Sequence, residues 1–316
     1  MSARPSASKY QKRQALEDEE AAQLTRQLKR YYKRFEGKGI VEITDEMRKD
    51  KSFPYSRKRA QHTDRRFFIF EYPSDGLMVK GYLSIAPECE KQPLLVFLRG
   101  GNCYLGLMHP GWGYSYFGNY TVIAPLYRGA ANEGVDEYGG ADVNDVKNLI
   151  DYIPTLEKKL GITISKQKKY ILGASRGGMQ MILALTRFPE LQSYFEKGVS
   201  LSGLLDIEEQ MRNRWCMRMM YTHSFGYNGM EWIKKRSPIY QVDKISKDFP
   251  VLIMQGSEDD RVSTSEGYEM LHRLKERGCQ VDHLEVEGGD HCLENVHDTF
   301  AYIQRWFEKE SQPVNG

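Results

Sequence analysis

Gly173-Ala174-Ser175-Arg176-Gly177, with a further glycine at 178, is where the sequence first offers a reaction centre. The apolar run Tyr170-Ile171-Leu172 stands directly before it, and a helical pattern over residues 179–185 directly after. A glycine–X–serine–X–glycine pattern says little alone. Between a strand and a helix it describes a turn so tight that its flanking positions must lack bulk, with the serine hydroxyl lifted above the sheet edge. The helix N-terminus beneath offers free N–H groups and partial positive charge to a developing oxyanion. Taken as architecture alone, the segment is a glycine-rich turn with an incidental serine. Taken as chemistry, it predicts a nucleophile, which needs a base to take its proton and a carboxylate to orient that base.

Such a turn needs a sheet to stand on, and short apolar runs supply one. Segments 67–72 and 77–85 flank a Pro-Ser-Asp-Gly turn and predict an N-terminal β-hairpin. Runs at 94–98, 121–125, 170–172, 198–201, 251–254 and 283–286 alternate with helical patterns at 142–160, 177–188, 263–277 and 291–308. Strands separated by helices require crossovers, which predicts an α/β fold with a mostly parallel, twisted sheet and helices on both faces. Residues 206–245 break the alternation and read as a short helical cap inserted over the strand ends.

In the chain order of α/β-hydrolases the acid follows the nucleophile and the histidine comes last. The run at 251–254 leads into Gln255-Gly256-Ser257-Glu258-Asp259-Asp260-Arg261-Val262, where Asp259 is the expected acid. Its competitors, Glu258 and Asp260, read as a surface charge or a helix cap. The next strand leads into Glu287-Gly288-Gly289-Asp290-His291, and His291 is the expected base. The other histidines lack both the strand-end position and the order: His283 sits in a strand pattern, His272 and His297 in helices, His62 in a basic segment. His109 and His223 fall in loop or insertion sequence, where pocket lining is the functional alternative. No histidine–carboxylate group has metal-ligand spacing, so neither a metal nor another cofactor is expected.

The charge balance sets limits around this centre. The net charge of +2 conceals a basic segment over 1–66, at +8, and an acidic remainder, at −6. The expected division is therefore a basic arm over 1–66 and a catalytic domain over 67–316. Residues 1–10 read as disordered. Over 15–35, Leu24, Leu28, Tyr31, Tyr32 and Phe35 share one helix face, with Lys29, Arg30, Lys33 and Arg34 around it. That stripe either meets an anionic surface or partner, or docks on the body. No motif of nucleic-acid recognition accompanies it, so no nucleic acid partner is expected. Five scattered cysteines without a C-x-x-C pair predict a reducing, cytoplasmic setting. No run approaches a membrane span, and no apolar leader opens the chain.

One oxyanion donor is expected from the N–H of Arg176, the residue after the nucleophile. Arg99-Gly100-Gly101-Asn102, after the run at 94–98, resembles the histidine–glycine–glycine loop of esterases and peptidases, and by that likeness Gly101 supplies the second N–H. Arginine stands at 99 where that loop has histidine or tyrosine; it either adds charge to the site or buttresses the loop. Three further stretches resemble the prolyl oligopeptidase family of serine hydrolases: Tyr127-Arg128-Gly129, the segment Asp136-Glu137-Tyr138-Gly139-Gly140-Ala141-Asp142 with the helix after it, and Arg236-Ser237-Pro238-Ile239. From about 77 to 310 the resemblance implies an α/β-hydrolase fold with Ser175 as nucleophile, Asp259 as acid and His291 as base. Large family members carry a β-propeller ahead of the hydrolase. The 65 or so residues ahead of it here show no repeats, so none is expected in this chain. Arg99, Asn102, Met211 and Trp215 are the candidate pocket residues, the last two within a cap rich in Met and aromatic side chains. The alternative is that those side chains pack the cap onto the body. The expected activity is acyl transfer to water from a small peptide or amide, with a carboxylesterase as the alternative. A rival of another kind is an interaction protein that binds a partner through the arm.

Overall fold

The computed structural model describes residues 7–49, 63–104, 106–110, 116–164 and 166–310. Its strands are β1 (Ile40–Glu42), β2 (Arg66–Ser74), β3 (Leu77–Ile85), β4 (Leu94–Leu98), β5 (Thr121–Pro125), β6 (Lys169–Ala174), β7 (Lys197–Leu201), β8 (Val251–Gly256) and β9 (Val281–Val286). They form one sheet in the order β1-β2-β3-β5-β4-β6-β7-β8-β9. The first three strands and β5 pair antiparallel, and every pair from β5 to β9 is parallel.

Side chains alternate between the two faces of such a sheet, and both faces are buried. In β4, Leu94, Val96 and Leu98 enter one apolar cluster while Leu95 and Phe97 enter the other. In β8, Val251 and Ile253 face one way, Leu252 and Met254 the opposite way. Helices Asn144–Leu160 and Arg176–Arg187 cover the first face; the N-terminal helix and Thr299–Glu308 cover the second. This is the α/β layering expected from the alternating runs.

The predicted hairpin is β2–β3, closed by Asp75 and Gly76 at φ 51° and 82°, the left-handed pair that a two-residue hairpin loop demands. Strand β1 was not visible in the sequence pattern. It is three residues long and adds to the edge of β2, too short to display a period.

Two boundaries differ from expectation. The N-terminal helix runs Ala7–Lys33, so residues 7–10, expected to be disordered, are helical. The segment around them is rich in Lys, Gln and Arg, which keep most of their rotamer freedom in a helix even without an apolar period. The last helix was expected from His291 but begins at Thr299. Cys292 and Leu293 take φ of 62° and 55°, left-handed values that break a helix and leave only a short turn at His291–Leu293.

Leu28, Tyr31 and Tyr32 of the N-terminal helix, with Phe35 in the turn after it, are buried with Leu107 and Phe117, so the apolar stripe docks on its own body; Leu24 remains exposed. Residues 1–6 and 50–62 of the expected arm, His62 among them, lie outside the described residues. Over 206–245 the chain forms helices Ile207–Asn213, Trp215–Ser224 and Met230–Arg236 between β7 and β8. Among the described residues no helix is long and apolar enough to cross a membrane.

Candidate active site

Ser175 occupies the single residue between the end of β6 and the start of helix Arg176–Arg187, at φ 55° and ψ −122°. A non-glycine residue holds such values only where its surroundings over-determine them. Main-chain bonds do so here. The Ser175 N–H donates to Leu201 O at 2.9 Å, and its carbonyl accepts from Gly178 and Leu204 at 2.9 and 3.1 Å. The flanking glycines are obligatory on contact grounds. A Cβ on Gly173 would lie 2.0 Å from Gly177 O, and one on Gly177 would lie 1.9 Å from Leu98 O.

The ends of β8 and β9 bring Asp259 and His291 together. His291 Nδ1 lies 2.9 Å from both carboxylate oxygens of Asp259. Asp259 Oδ1 also accepts the N–H groups of Arg261 and Val262, each at 2.9 Å. Burial works against the carboxylate, but His291 and those two N–H donors outweigh it and hold the acid below its ordinary range. Burial also disfavours the imidazolium of His291. The Cys292 sulfur and the Asp259 carboxylate overcome this and push the ring up to about 10. The loop carrying His291 is tied to β7 by Cys292 N–H, which donates to Ser202 Oγ at 3.0 Å. Glu258 is exposed, and neither it nor Asp260 accepts a bond from His291. Of the remaining histidines, His272 pairs with Glu276 on the surface, His283 packs against Tyr268, His109 stacks on Tyr31, and His223 and His297 are exposed.

No acceptor for the N–H of Gly101 or of Arg176 is found among the described residues, and Arg176, next to the serine in the chain, stands in the first helical turn, where no intrahelical acceptor exists. Gly100 closes on the same point, since a Cβ there would lie 2.9 Å from Ser175 Cβ. Two fully buried guanidinium groups hold this loop from behind. Arg176 donates to Gly101 O at 3.1 Å and forks onto Asp136 at 2.8 and 2.6 Å, with Asp142 at 2.6 Å. Tyr138 lies over the same group, 4.4 Å from its ring centroid. Burial alone would weaken the charge of Arg176, but Asp136 and Asp142 raise its pKa well above the ordinary value.

Arg99 donates to the carbonyls of Gly100, Gly106 and Leu126 at 2.9, 3.4 and 3.1 Å. Of the two roles left open for it, the structure selects the buttress. Its expected place in the pocket is corrected on the same ground: at 1% exposure it lines no accessible surface. Asn102 is also buried, donating from Nδ2 to the Met220 sulfur at 3.1 Å and accepting from Tyr104 N–H. Met211 is half-buried and packs against the core. Trp215 is 74% exposed and so is not enclosed. Tyr221, Phe225 and Trp232 go into the core, so much of the cap's apolar content packs it onto the body.

Sequence reasoning missed four neighbours of the site: Ser202, which ties the histidine loop; Cys292, beside His291; and Asp136 and Asp142, whose carboxylates lie under Arg176. Only the aspartates carried a signal, as part of a stretch already noted for its resemblance. Two cavities, of about 740 and 600 Å³, are lined by none of Ser175, Asp259 or His291. Chemistry rather than volume marks this centre. Among the described residues no three His, Cys, Asp or Glu side chains are arranged to hold a metal ion.

Residues 114–313 match the model of the prolyl oligopeptidase family. The uncharacterized peptidase YtmA of Bacillus subtilis is 30% identical over 223 residues, covering 69% of this chain and 82% of that protein. The acylamino-acid-releasing enzyme of Mus musculus is 27% identical over 208 residues, covering 59% of this chain and 27% of its own length. Among solved structures, an acylaminoacyl peptidase of Pyrococcus horikoshii superposes with a TM-score of 0.65 at 20% identity, over 84% of this chain and 44% of that one. A hyperthermophilic esterase from Pyrobaculum calidifontis gives 0.62 at 17%, over 77% of this chain and 85% of that one. Both structures share the fold of this chain. The chain spans less than half of the acylamino-acid-releasing and acylaminoacyl relatives.

Proposed function

The chain belongs to the prolyl oligopeptidase family of hydrolases, and on that premise we propose that Ser175, His291 and Asp259 hydrolyse an acyl bond in two steps through an acyl-serine. The observation that carries this reading is the Asp259 carboxylate 2.9 Å from His291 Nδ1, after the ends of β8 and β9, together with a serine held on a strained elbow at the end of β6. His291 Nε2 takes the Ser175 proton as Oγ adds to the substrate carbonyl. The N–H groups of Gly101 and Arg176 hold the resulting oxyanion, each such donor contributing about 10²–10³ in turnover. The tetrahedral adduct collapses as His291 returns the proton to the leaving nitrogen or oxygen. Water, deprotonated by the same imidazole, then attacks the acyl-serine and releases the acid.

The preferred substrates are small peptides or acyl-aminoacyl amides. The peptidase names of the relatives support this, and the share of their length that lies outside this chain makes it a proposal about this domain alone. A carboxylesterase is the second reading, favoured by the 85% of an esterase chain that superposes here. A fluorophosphonate probe should label the wild type and not Ser175→Ala; equal labelling of both defeats the assignment. Comparing acyl-aminoacyl p-nitroanilides with short p-nitrophenyl esters separates the two readings. A higher kcat/KM on the anilides, relative to their slower uncatalysed hydrolysis, favours the peptidase; turnover confined to esters favours the esterase.

A further inference from the structure

The cap helix Trp215–Ser224 meets the candidate centre at two points. Met220 takes the hydrogen bond of Asn102, next to Gly101. Just ahead of the helix, Arg214 Nη1 donates to Arg261 O at 2.8 Å, and Arg261 is the residue whose own N–H holds Asp259. Six residues of helix span about 9 Å. The helix therefore crosses from the oxyanion loop to the acid loop, with Arg214 at the acid end.

Arg214 differs from the other enclosed arginines near the site. Arg99, Arg128, Arg176 and Arg187 each hold two or more acceptors. Arg214 is half-buried, and among the described residues its guanidinium makes one hydrogen bond and no ion pair. A guanidinium has five N–H donors, so most of this fork is unfilled. Its charge reaches the buried rings of Tyr221, in the cap helix, and of Tyr138, which packs against Tyr221 and lies over Arg176. A partly desolvated cation is stabilised by an anion, and the planar fork matches the two oxygens of a carboxylate.

We propose that Arg214 binds a carboxylate of the substrate and makes this hydrolase selective for anionic acyl-aminoacyl or peptide substrates. The inference rests on the reading of Ser175, Asp259 and His291 as the reaction centre. Two sources can present the same group: an acidic acyl substituent, or the free C-terminus of the leaving peptide. Matched pairs separate them, N-succinyl- against N-acetyl-alanyl p-nitroanilide for the acyl side, and acetyl-Ala-Ala against its C-terminal amide for the leaving side. In one pair the wild type should prefer the charged member, and Arg214→Gln should lower that charged-to-neutral ratio of kcat/KM about tenfold or more, with Arg214→Lys partly restoring it. Calorimetry on Ser175→Ala, with and without Arg214→Gln, reads the same preference as binding without turnover. Arg214-dependent tighter binding of the charged member supports the inference even where no wild-type turnover is seen, an outcome that defeats the hydrolase reading alone. Equal losses on both members of each pair, or no charge preference by rate or by binding, overturn it.

Discussion

The floor of the candidate site and its roof are built on different terms. Beneath Ser175, main-chain hydrogen bonds, glycines that admit no Cβ and the multiply bonded guanidinium groups of Arg99 and Arg176 leave little room to move. Above it, the cap holds half-buried Met211, Met217 and Met220, an exposed Trp215 and an arginine with one bond. For the proposed reaction the floor must keep an oxyanion geometry to a fraction of an ångström, which demands over-determined positions. The roof must meet substrates, and unbranched thioethers with open donors adapt to them. Chemistry and selectivity are thus assigned to regions of opposite stiffness.

The sharpest way to test the floor is through its acid. Asp259→Asn should keep the fold and lower kcat by about 10⁴-fold, since the amide holds the imidazole in the wrong tautomer. Steady-state kinetics on a p-nitroanilide check it, and a loss under tenfold would remove Asp259 from the centre. Next comes the buried charge cluster. Arg176→Met strands Asp136 and Asp142, whose side chains are 2% and 0% exposed, and should cost about 3–5 kcal/mol in denaturant unfolding. Arg176→Lys should recover little, because a single ammonium cannot fork across both carboxylates.

The pH profile tests the environment of His291. The base must be neutral to accept a proton, so a raised pKa places kcat/KM on a rising limb between neutral pH and about 10. Cys292→Ala removes a neighbour that raises it and should move the midpoint down; a profile already flat above pH 7 would show that these neighbours do not raise the pKa of His291. Glu266 gives a smaller effect. It accepts the N–H groups of Leu205 and Asp206 and the side chain of Gln210, and burial pushes its carboxyl up to about 8. The folded state then binds this proton more tightly than the unfolded chain, so its contribution to stability falls as pH rises from about 4.5 through 8. Urea midpoints at pH 5 and 8 should show that slope in the wild type and less of it in Glu266→Gln. At the exposed end of the roof, Trp215→Ala should change stability by no more than about 0.5 kcal/mol. A loss like that of Arg176→Met would erase the contrast between the two regions.

Much of this was legible in the residues because it is encoded locally. Buried strands announce themselves as short apolar runs, so eight of the nine strands were found within about three residues at either end. The elbow is spelled by glycines whose absence of a Cβ is a local requirement. Asp259 and His291 could be selected from many acids and seven histidines because strand ends and chain order are linear properties. What stayed hidden depends on residues far apart in the chain. Arg99 could be read two ways until the carbonyl of Leu126, 27 residues on, was found under it. The cluster of Arg176 with Asp136 and Asp142 joins positions 40 and 34 residues apart. Trp215 and Tyr221 lie in one helix, and only its packing turned one to solvent and the other inward.

By itself, then, the sequence determined the layered sheet, the elbow and the order of the candidate catalytic groups, because hydrophobic period and glycine placement act over a few residues. Only the tertiary structure decided which charges cancel in the interior, which arginine is left with an open fork, and that the N-terminal stripe is covered by its own body. Those outcomes turn on which surfaces meet, and no local pattern carries that information.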